Sequence, residues 1–269
     1  MSFTITHPNK LFFPKDNITK QDLVNYYQKV APLFLPHVKN RPLILQRFPN
    51  GILKKGFFQK NVSSYFPSWI STVEVQRKTQ ADTELILCQN KKTLLYLVNQ
   101  GTITFHTWLS KKGKLQNPDQ MIFDIDPPKG MLKEAKLAVQ KLRAFLEKKK
   151  SYLMTTGSRG FHVIVPLAPK RPFKEVKKEA KSLSEALCKE YPKLFTTKLR
   201  KKERKGKIFI DYLRNEYAQH SVAPYSVRPL PKAPIAMPIS WDDLSRINPQ
   251  SINLSNFTKY IRQDPWKGL

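Results

Sequence analysis

Residues 120–130 read QMIFDIDPPKG, and this stretch decides the fold. Its apolar run carries two aspartates, Asp124 and Asp126, placed one residue apart. Successive side chains of a β-strand point to opposite faces, so both aspartates point one way while Phe123 and Ile125 point the other way. A carboxylate in an apolar strand is costly unless a cation or solvent reaches it. The stretch therefore predicts a strand with one buried face and one acidic face.

The patterns that follow this strand predict a βαββαβ unit. Helical spacing of apolar residues and short apolar runs give, in order, a strand over 120–125, a helix over 131–149, a strand over 152–156, a turn over 157–160, a strand over 161–167, a helix over 173–190 and a strand over 207–213. This is the order of the ferredoxin-like or RRM-like unit, an α+β fold. In its usual sheet the first strand lies between the third and the fourth. Asp211 and His162 are therefore predicted to join Asp124 and Asp126 on the open face.

The first 110 residues predict an N-terminal α/β lobe. Thr19 and Asp22 form a capping box before a helix over about 20–35, which Pro32 is expected to end or kink. The other elements are strands over 41–49 and 56–61 joined by the turn Pro49-Asn50-Gly51, a short helix over 93–101 that Gly101 caps, and a strand over 102–108. We expect a single domain over 1–269, with the N-terminal lobe over 1–110 and an RRM-like catalytic lobe over 111–269.

Charge is the strongest signal in the composition. The chain has 48 Lys and Arg against 20 Asp and Glu, a formal net charge of +28. This excess predicts a polyanionic partner, and the spread of the lysines over the whole chain favours nucleic acid over a membrane surface. No apolar run approaches the roughly 20 residues of a membrane span, and the N-terminus lacks the apolar region of a signal peptide. Cys88 and Cys188 lack CxxC spacing, so we expect no zinc site and a reduced protein. The expected location is the cytoplasm, in association with the nucleoid.

Three acidic side chains on one sheet face predict a site for divalent cations. Asp124, Asp126 and Asp211 would repel one another without a cation, and carboxylate oxygens suit Mg²⁺ or Mn²⁺. Two such ions roughly 4 Å apart support a phosphoryl transfer, either to a hydroxyl in a polymerase or to water in a nuclease. The alternative is that Asp124 and Asp126 are ordinary strand-end residues before Pro127.

The stretch TTGSRGFH (155–162) is a second candidate binding element. A Ser158-Arg159 turn can present a hydroxyl, a guanidinium and backbone N–H groups to phosphate, with His162 following on the strand. The alternative is a plain hairpin turn. The basic run over 198–207 is either a solvated surface or a loop over the site.

Two further candidates lie in the N-terminal lobe. His106 is a lone strand histidine, for which packing is the commoner role. Alternation along Phe57-Phe58 is expected to send one ring to the core and to leave the other free for base stacking.

Several motifs in order resemble the polymerase domain of bacterial DNA ligase D, a member of the archaeo-eukaryotic primase superfamily. They are HPNKLFFP and ITKQDLVNYY near the N-terminus, then RPLILQRFPNG, GFFQKN, FDIDPP, TGSRGFHVIVPL, KGKIFIDYLRN and APYSVRP. They cover nearly the whole chain, which makes the resemblance far more specific than a single pair of aspartates. The resemblance implies the archaeo-eukaryotic primase fold and template-directed nucleotidyl transfer in non-homologous end joining.

The resemblance also implies roles for individual residues. The catalytic, metal-binding aspartates fall on Asp124, Asp126 and Asp211. Contacts to the incoming nucleotide fall on Ser158, Arg159, His162, His106 and Arg228, with Arg159 standing where the family usually has lysine. DNA contacts are assigned to Lys10 and Lys20, which would hold a 5′-phosphate across a gap, to Phe57 and Phe58 beside the template and downstream duplex, and to Arg47, Lys60 and Arg204.

We therefore expect a polymerase that fills short gaps at DNA ends, tends toward ribonucleotides, and uses two divalent ions, Mn²⁺ or Mg²⁺. The expected partners are DNA with a 5′-phosphorylated end or gap, NTP or dNTP, a DNA ligase and the Ku end-binding protein, with no membrane partner. Three alternatives stay open: a primase that initiates strands de novo, a metal-dependent nuclease, and a non-catalytic DNA-end-binding module. No ligase or phosphoesterase segment follows the motifs, so we expect either a free-standing relative or one domain of a longer protein.

Overall fold

Two large β-sheets organise the residues that the computed structural model describes, which are 4–75, 83–146, 149–261 and 264–266. The α-helices in these residues are α1 (Lys20–Val38), α2 (Lys91–Asn99), α3 (Leu132–Phe145) and α4 (Phe173–Glu190). The strands are β1 (Leu11–Phe13), β2 (Ile18–Thr19), β3 (Pro42–Arg47), β4 (Phe57–Gln59), β5 (Thr72–Val75), β6 (Thr83–Leu87), β7 (Thr102–Thr107), β8 (Gln120–Asp126), β9 (Tyr152–Thr155), β10 (Phe161–Pro166), β11 (Phe195–Thr196), β12 (Ile208–Asp211), β13 (Ser221–Val222), β14 (Ser226–Val227), β15 (Ile235–Ala236) and β16 (Pro238–Ile239). Within these ranges no helix combines the length and the apolar character that crossing a membrane requires.

The second sheet contains the predicted βαββαβ unit. Its strand order is β11-β12-β8-β10-β9-β16, so β8 lies between β10 and β12. Helices α3 and α4 pack on the face that carries Phe123 and Ile125, both of which are fully buried. The predicted strand order and the α+β fold are confirmed. The two-residue strands β11 and β16 extend the edges and were not predicted.

Helix α3 ends earlier than its apolar pattern predicted. Ala135, Val139 and Leu142 are buried as expected, but the helix stops at Phe145 rather than at 149. Leu146 lies just beyond the helix and is still buried in the core. Burying a side chain of this size contributes about 1.5–3 kcal/mol, which holds this end of the segment on the sheet. Residues 147–148 of the predicted helix lie outside the described residues.

The first sheet has the order β13-β7-β3-β6-β5, with β4 paired to β3. The predicted hairpin is present, because β3 and β4 pair antiparallel with Arg47 opposite Phe57. Strand β13 comes from the C-terminal half and pairs with β7, so this sheet takes a strand from beyond residue 110. The division into lobes over 1–110 and 111–269 stays a prediction.

Helix α1 begins at the predicted capping box and continues through both of its prolines. The Thr19 side chain accepts from the Asp22 backbone N–H, and Asp22 accepts from the Thr19 backbone N–H. The expectation that Pro32 ends the helix is wrong, since α1 continues to Val38. Pro32 and Pro36 lie on the exposed side, while the opposite face is buried in the core. Packing of that apolar face therefore outweighs the hydrogen bonds that the prolines remove.

Two tyrosines of α1 connect the halves of the chain. The Tyr26 hydroxyl donates to the carbonyl oxygen of Tyr225 at 2.7 Å. The Tyr27 hydroxyl donates to the carbonyl oxygen of Ile103 at 2.7 Å and accepts from the Val227 N–H at 3.0 Å. These bonds fix the segment that leads to Arg228 against β7.

Candidate active site

The predicted acidic face forms through the register of β8, β10 and β12. His162 of β10 and Asp211 of β12 both lie directly opposite Asp124 of β8. Residues opposite one another in antiparallel strands share a face, so the three side chains form a row across the sheet. Asp126 lies two residues along β8, opposite Phe209, and points to the same face. The structure thus brings together the four groups that the sequence placed on one face.

A cavity of about 420 Å³ opens above this row and collects residues from both sheets. The predicted site residues that line it are Phe58, His106, Asp124, Asp126, Ser158, Arg159, His162, Arg204, Asp211 and Arg228. Sequence reasoning gave no site role to the other seven lining residues, which are Thr156, Gly160, Phe209, Arg214, His220, Ser221 and Val222.

Arg214 lies between two of the aspartates. Its Nε atom is 3.4 Å from an oxygen of Asp124 and 3.4 Å from an oxygen of Asp211. Arg214 sits in a 3₁₀ turn after β12, which Asn215 fixes by accepting from the Ile122 N–H at 2.8 Å and donating to the Ile122 carbonyl at 2.7 Å. The only sequence signal for Arg214 was its place three residues after Asp211. No periodicity marks it.

Two other arginines approach Asp126. Nη2 of Arg159 lies 3.5 Å from one carboxylate oxygen, and Nη1 of Arg204 lies 3.4 Å from the other. The Arg204 guanidinium also stacks over Phe209, 3.7 Å from the ring centroid. The basic run over 198–207 therefore reaches the cavity through Arg204.

The carboxyls of Asp124 and Asp211 have pKa values shifted in opposite directions. Burial alone would raise the pKa of Asp124, but the neighbouring His162 and Arg214 outweigh it, so that pKa is lowered. Burial is also the largest effect at Asp211, where the charge of Asp124 adds to it and Arg214 opposes it, and the pKa of Asp211 is raised. Asp211 is therefore the carboxyl whose ionisation gains most from an added positive charge.

The donor set fits a hard divalent cation. Carboxylate oxygens are the ligands that Mg²⁺ and Mn²⁺ prefer. The position between Asp124 and Asp211 already holds a positive charge, that of Arg214. In the part of the chain that the structure describes, no group of three or more His, Cys, Asp or Glu is preassembled around a metal position. A divalent cation between the two carboxylates thus requires the Arg214 guanidinium to move aside.

The turn over 157–160 is fixed by Thr156 and by two glycines. Thr156 Oγ1 accepts from the backbone N–H groups of Ser158 at 3.2 Å and Gly160 at 3.3 Å. Gly157 has a φ of +64°, which favours glycine. A Cβ atom at Gly160 would lie 2.0 Å from the carbonyl oxygen of Ile125, so only glycine lets the turn approach β8 this closely. This approach places Ser158 and Arg159 at the edge of the cavity beside Asp126.

Two imidazoles meet on the other side of the cavity. The rings of His106 and His220 are 4.9 Å apart and nearly perpendicular, and Phe58 lies 5.6 Å from His106. Burial and the nearby cations Arg214 and Lys60 lower the pKa of His220 to about 4. Burial, followed by the nearby His220, Arg228 and Arg214, also lowers the pKa of His106. Both rings are therefore neutral near pH 7. No motif marked His220, which lies in the loop before β13.

Arg228 closes the end of the cavity next to the turn. It follows β14, and its Cγ atom would be 2.6 Å from a Cβ atom at Gly157. Burial lowers the pKa of the Arg228 guanidinium, while the charge of Asp124 opposes this effect. Its Nε atom is buried and has no hydrogen-bond partner among the described residues. The guanidinium is thus a cation held in place beside the aspartate row with unused hydrogen-bonding capacity.

The predicted phosphate ligands Lys10 and Lys20 differ in their surroundings. Lys10 is exposed, and its Nζ donates to the Asn50 side chain at 2.8 Å. Lys20 is buried, and its Nζ contacts the carbonyl oxygens of Thr6 at 2.6 Å and Asn99 at 2.9 Å, together with both of their side chains. Burial and the charge of Lys10 lower the pKa of Lys20. Its hydrogen bonds are used within the protein, which argues against direct phosphate binding by Lys20.

Arg47, assigned from the sequence as a DNA contact, is also buried, and the DNA contact stays a prediction. Its guanidinium donates to the Gln100 carbonyl at 2.6 and 2.9 Å, to the Gln59 side chain at 2.6 Å and to the Tyr65 hydroxyl at 2.7 Å. These contacts make it a structural residue of the first sheet.

The expectation that one ring of Phe57-Phe58 enters the core is wrong. The side chains are 48% and 50% exposed, because β4 is a three-residue strand at the margin of the sheet. Phe58 faces the cavity and Phe57 faces away from it. Lys60, which follows on the same segment, is exposed as expected of a DNA contact.

Comparison with known proteins agrees with this architecture. Residues 19–266 match the family described as LigD, primase-polymerase domain. The multifunctional non-homologous end joining proteins LigD of Mycolicibacterium smegmatis and Pseudomonas aeruginosa are 30% and 31% identical over 90% and 97% of this chain, and each match covers 32% of the relative. The bifunctional LigD of Bacillus subtilis is 29% identical over 96% of this chain and 42% of the relative. The solved polymerase domain of Mycobacterium tuberculosis ligase D in complex with DNA has a TM-score of 0.89 and 25% identity, covering 98% of this chain and 96% of that chain.

The fold and the cavity define a nucleotidyltransferase of the primase-polymerase class, with the archaeo-eukaryotic primase fold. The chain belongs to the LigD primase-polymerase domain family. It spans 32% to 42% of the length of these curated relatives.

Proposed function

We propose that this chain is a template-directed polymerase that fills short gaps at DNA ends in non-homologous end joining. The observation that carries the proposal is the in-register row of Asp211, Asp124 and His162, with Asp126 beside it, at the base of a cavity lined by cations. Such a row supplies metal ligands on one side and triphosphate ligands on the other. The relatives whose names refer to end joining share this whole domain.

Domains of this family typically need divalent metal ions, and Asp124, Asp126 and Asp211 would hold them here. Two bound Mn²⁺ or Mg²⁺ ions would make the primer 3′-hydroxyl a better nucleophile and neutralise charge on the triphosphate. The protein's own part is to hold the three carboxylates on one rigid sheet face, with His162 helping to keep Asp124 ionised. Preorganised charge of this kind needs little rearrangement during the reaction.

The cavity rim offers the groups that a triphosphate requires. Ser158 and Arg159 come from the glycine-bounded turn, and Arg228 comes from the opposite side. A charge-assisted hydrogen bond to phosphate is about twice as strong as a neutral one, and Arg228, whose Nε has no partner among the described residues, would make one. His162 and His106 complete the nucleotide contacts of the proposal. We also propose that the chain prefers ribonucleotides to deoxyribonucleotides.

The proposed partner is DNA with a 5′-phosphorylated end or gap. The solved relative is in complex with DNA, and the net charge of +28 suits a polyanion. Lys10, Lys60 and Phe58 are exposed and available for it. We include NTP or dNTP as substrate, a DNA ligase and Ku as protein partners, and nucleoid association in the cytoplasm.

Primer extension on a gapped, 5′-phosphorylated duplex tests the proposal, with rNTP and dNTP in parallel and with Mg²⁺ or Mn²⁺. The wild-type chain should add nucleotides complementary to the template, and Asp124→Asn should lower the rate by at least about 10³-fold. Asp242→Asn, an exposed aspartate outside the cavity, is the matched control. Equal extension by Asp124→Asn and wild type would refute the assignment. Cleavage of the DNA without nucleotide addition would indicate the nuclease instead, and extension without a primer would indicate the primase.

A further inference from the structure

Three half-exposed aromatic rings lie on the first-sheet side of the molecule, outside the cavity. They belong to Phe57, Tyr65 and Trp69, which are 48%, 58% and 39% exposed. We call this set the aromatic stripe. Only Phe57 among them was a candidate from the sequence. Large rings exposed this far and clustered on one surface commonly mark a binding surface.

The first half of the stripe is held from beneath by Arg47. The guanidinium lies 5.4 Å from the centroid of the Phe57 ring, and its Nη1 donates to the Tyr65 hydroxyl at 2.7 Å. Because Arg47 is buried and also bonded to Gln59 and Gln100, it cannot easily move. Both rings are therefore held in position while their outer surfaces face solvent.

The second half of the stripe is connected through two supporting rings. Tyr65 packs edge-on against Phe66 at 5.0 Å, Phe66 against Tyr96 at 5.5 Å, and Tyr96 against Trp69 at 5.5 Å. The ammonium of Lys92 lies 4.1 Å from the Trp69 ring centroid. A continuous set of ring contacts thus runs from Tyr65 to Trp69 and ends beside an exposed cation.

The chain segments that build the stripe contain no acidic residue. Residues 23–73 hold seven Lys and Arg and no Asp or Glu, and residues 85–118 hold five Lys and no Asp or Glu. Both segments are part of the first sheet and its helices. The stripe combines stacking rings with the Lys92 ammonium, while the exposed acids Glu74 and Glu84 lie on the neighbouring strands β5 and β6. Rings beside a cation fit a chain that carries both bases and phosphates.

The stripe adjoins the cavity through β4. Phe58 lines the cavity, and Phe57 is the next residue on the same strand, so it points to the other side. A nucleic acid strand that passes over β4 would leave the cavity at Phe58 and meet the stripe at Phe57.

We infer that the aromatic stripe binds the unpaired bases of a single-stranded DNA overhang whose paired part enters the cavity. The inference rests on the proposed function, because it takes the cavity to be the site of a DNA end. Bases stack on Phe57, Tyr65 and Trp69, while Lys92 neutralises the passing phosphates. Stacking on rings tolerates any sequence, as an end-joining polymerase requires of overhangs that differ at every break.

Fluorescence anisotropy with labelled DNA tests the inference without nucleotide or metal, so its outcome does not depend on whether the chain extends a primer. Three DNAs are compared: a blunt duplex, the same duplex with a ten-nucleotide 3′ overhang, and that overhang made of abasic residues. The variants are Tyr65→Ala, Trp69→Ala and Lys92→Ala, with Tyr65→Phe as the variant that keeps the ring. Tyr260→Ala and Lys189→Ala, exposed residues elsewhere on the chain, are the matched controls.

We expect Tyr65→Ala and Trp69→Ala each to weaken binding of the overhang duplex by about 5- to 100-fold. Tyr65→Phe should keep most of the affinity, and the abasic overhang should be bound equally by wild type and variants. Lys92→Ala should reduce the salt dependence of overhang binding. Unchanged overhang affinity in both ring variants would overturn the inference and leave the rings to a protein contact. An equal loss on blunt and overhang DNA, or an equal loss on the abasic overhang, would overturn it as well.

Discussion

Asp211 lies directly opposite Asp124 in the antiparallel pair of β12 and β8, and the Nε atom of Arg214 is 3.4 Å from a carboxylate oxygen of each. Two ionised carboxylates that face each other repel unless a cation or a proton offsets one of the charges. The arginine supplies that charge here, and a divalent ion would take the same position. Arg214 and the metal are therefore competitors for one place, which gives the first prediction.

Arg214→Gln should lower the melting temperature of the metal-free protein and increase the response to metal. Without the guanidinium the facing carboxylates repel, at a cost of about 1 kcal/mol for this partly exposed group, or roughly 2–4 °C. Addition of MnCl₂ should then raise the melting temperature of the variant more than that of the wild type. Differential scanning fluorimetry measures both effects. Arg246→Gln, which removes an exposed arginine paired with Asp243, is the control, and equal metal responses in Arg214→Gln and wild type would contradict the prediction.

Gly160→Ala should destabilise the protein by several kcal/mol. The added Cβ would lie 2.0 Å from the Ile125 carbonyl oxygen, and this atom belongs to the strand that carries the aspartates. Either the turn or β8 must shift, and a shift of the backbone lowers the free energy of unfolding more than a rearranged side chain would. Thermal unfolding followed by circular dichroism measures the loss.

Gly113→Ala provides the comparison for this experiment. Gly113 has a φ of +88° and nothing within 4 Å of the added atom, so alanine there costs only about 1 kcal/mol of backbone strain. Similar losses at the two glycines would show that the close approach of the turn to β8 is unimportant.

The sequence sufficed for the strand order and for the acidic face, since both follow from alternation within β8 and from the order of elements. It did not show Arg214 or His220, because each lies in an irregular segment after a strand, where no period fixes the direction of a side chain. The prediction that one ring of Phe57-Phe58 is buried failed. Alternation correctly puts the two rings on opposite faces of β4, but it does not show whether another element packs on either face of a short strand at the sheet margin. The burial of Arg47 could not be predicted either, because its hydrogen-bond partners Gln100 and Tyr65 are distant in sequence.

Lys10 and Lys20 should respond differently to substitution. Lys20→Met leaves the carbonyl oxygens of Thr6 and Asn99 without their donor, so we expect a loss of about 2–3 kcal/mol in stability. Lys10→Ala should leave the melting temperature nearly unchanged, because its exposed ammonium has a single hydrogen bond, to Asn50, among the residues that the structure describes. It should, however, reduce the preference for 5′-phosphorylated DNA about 10- to 150-fold, the value of one charge-assisted contact.

Paired measurements of melting temperature and of binding to DNA with and without the 5′-phosphate distinguish the two lysines. A stable Lys20→Met variant that has lost its phosphate preference would show that the buried lysine turns outward to bind DNA. The hydrogen bonds seen around Lys20 would then describe the DNA-free state alone.

His220→Gln should flatten the pH dependence of stability between about pH 4 and pH 6.5. Burial, with Arg214 and Lys60 nearby, lowers the pKa of folded His220 to about 4, whereas an unfolded histidine titrates near 6.5. The unfolded chain therefore binds more protons in this window, and stability falls as the pH is lowered through it, by up to about 3 kcal/mol for this residue. Chemical unfolding at a series of pH values should show the stability of the wild type falling relative to that of His220→Gln as the pH is lowered through this window. His7→Asn, which changes an exposed histidine, is the control, and parallel curves for His220→Gln and wild type would mean that this imidazole is not held neutral by the fold.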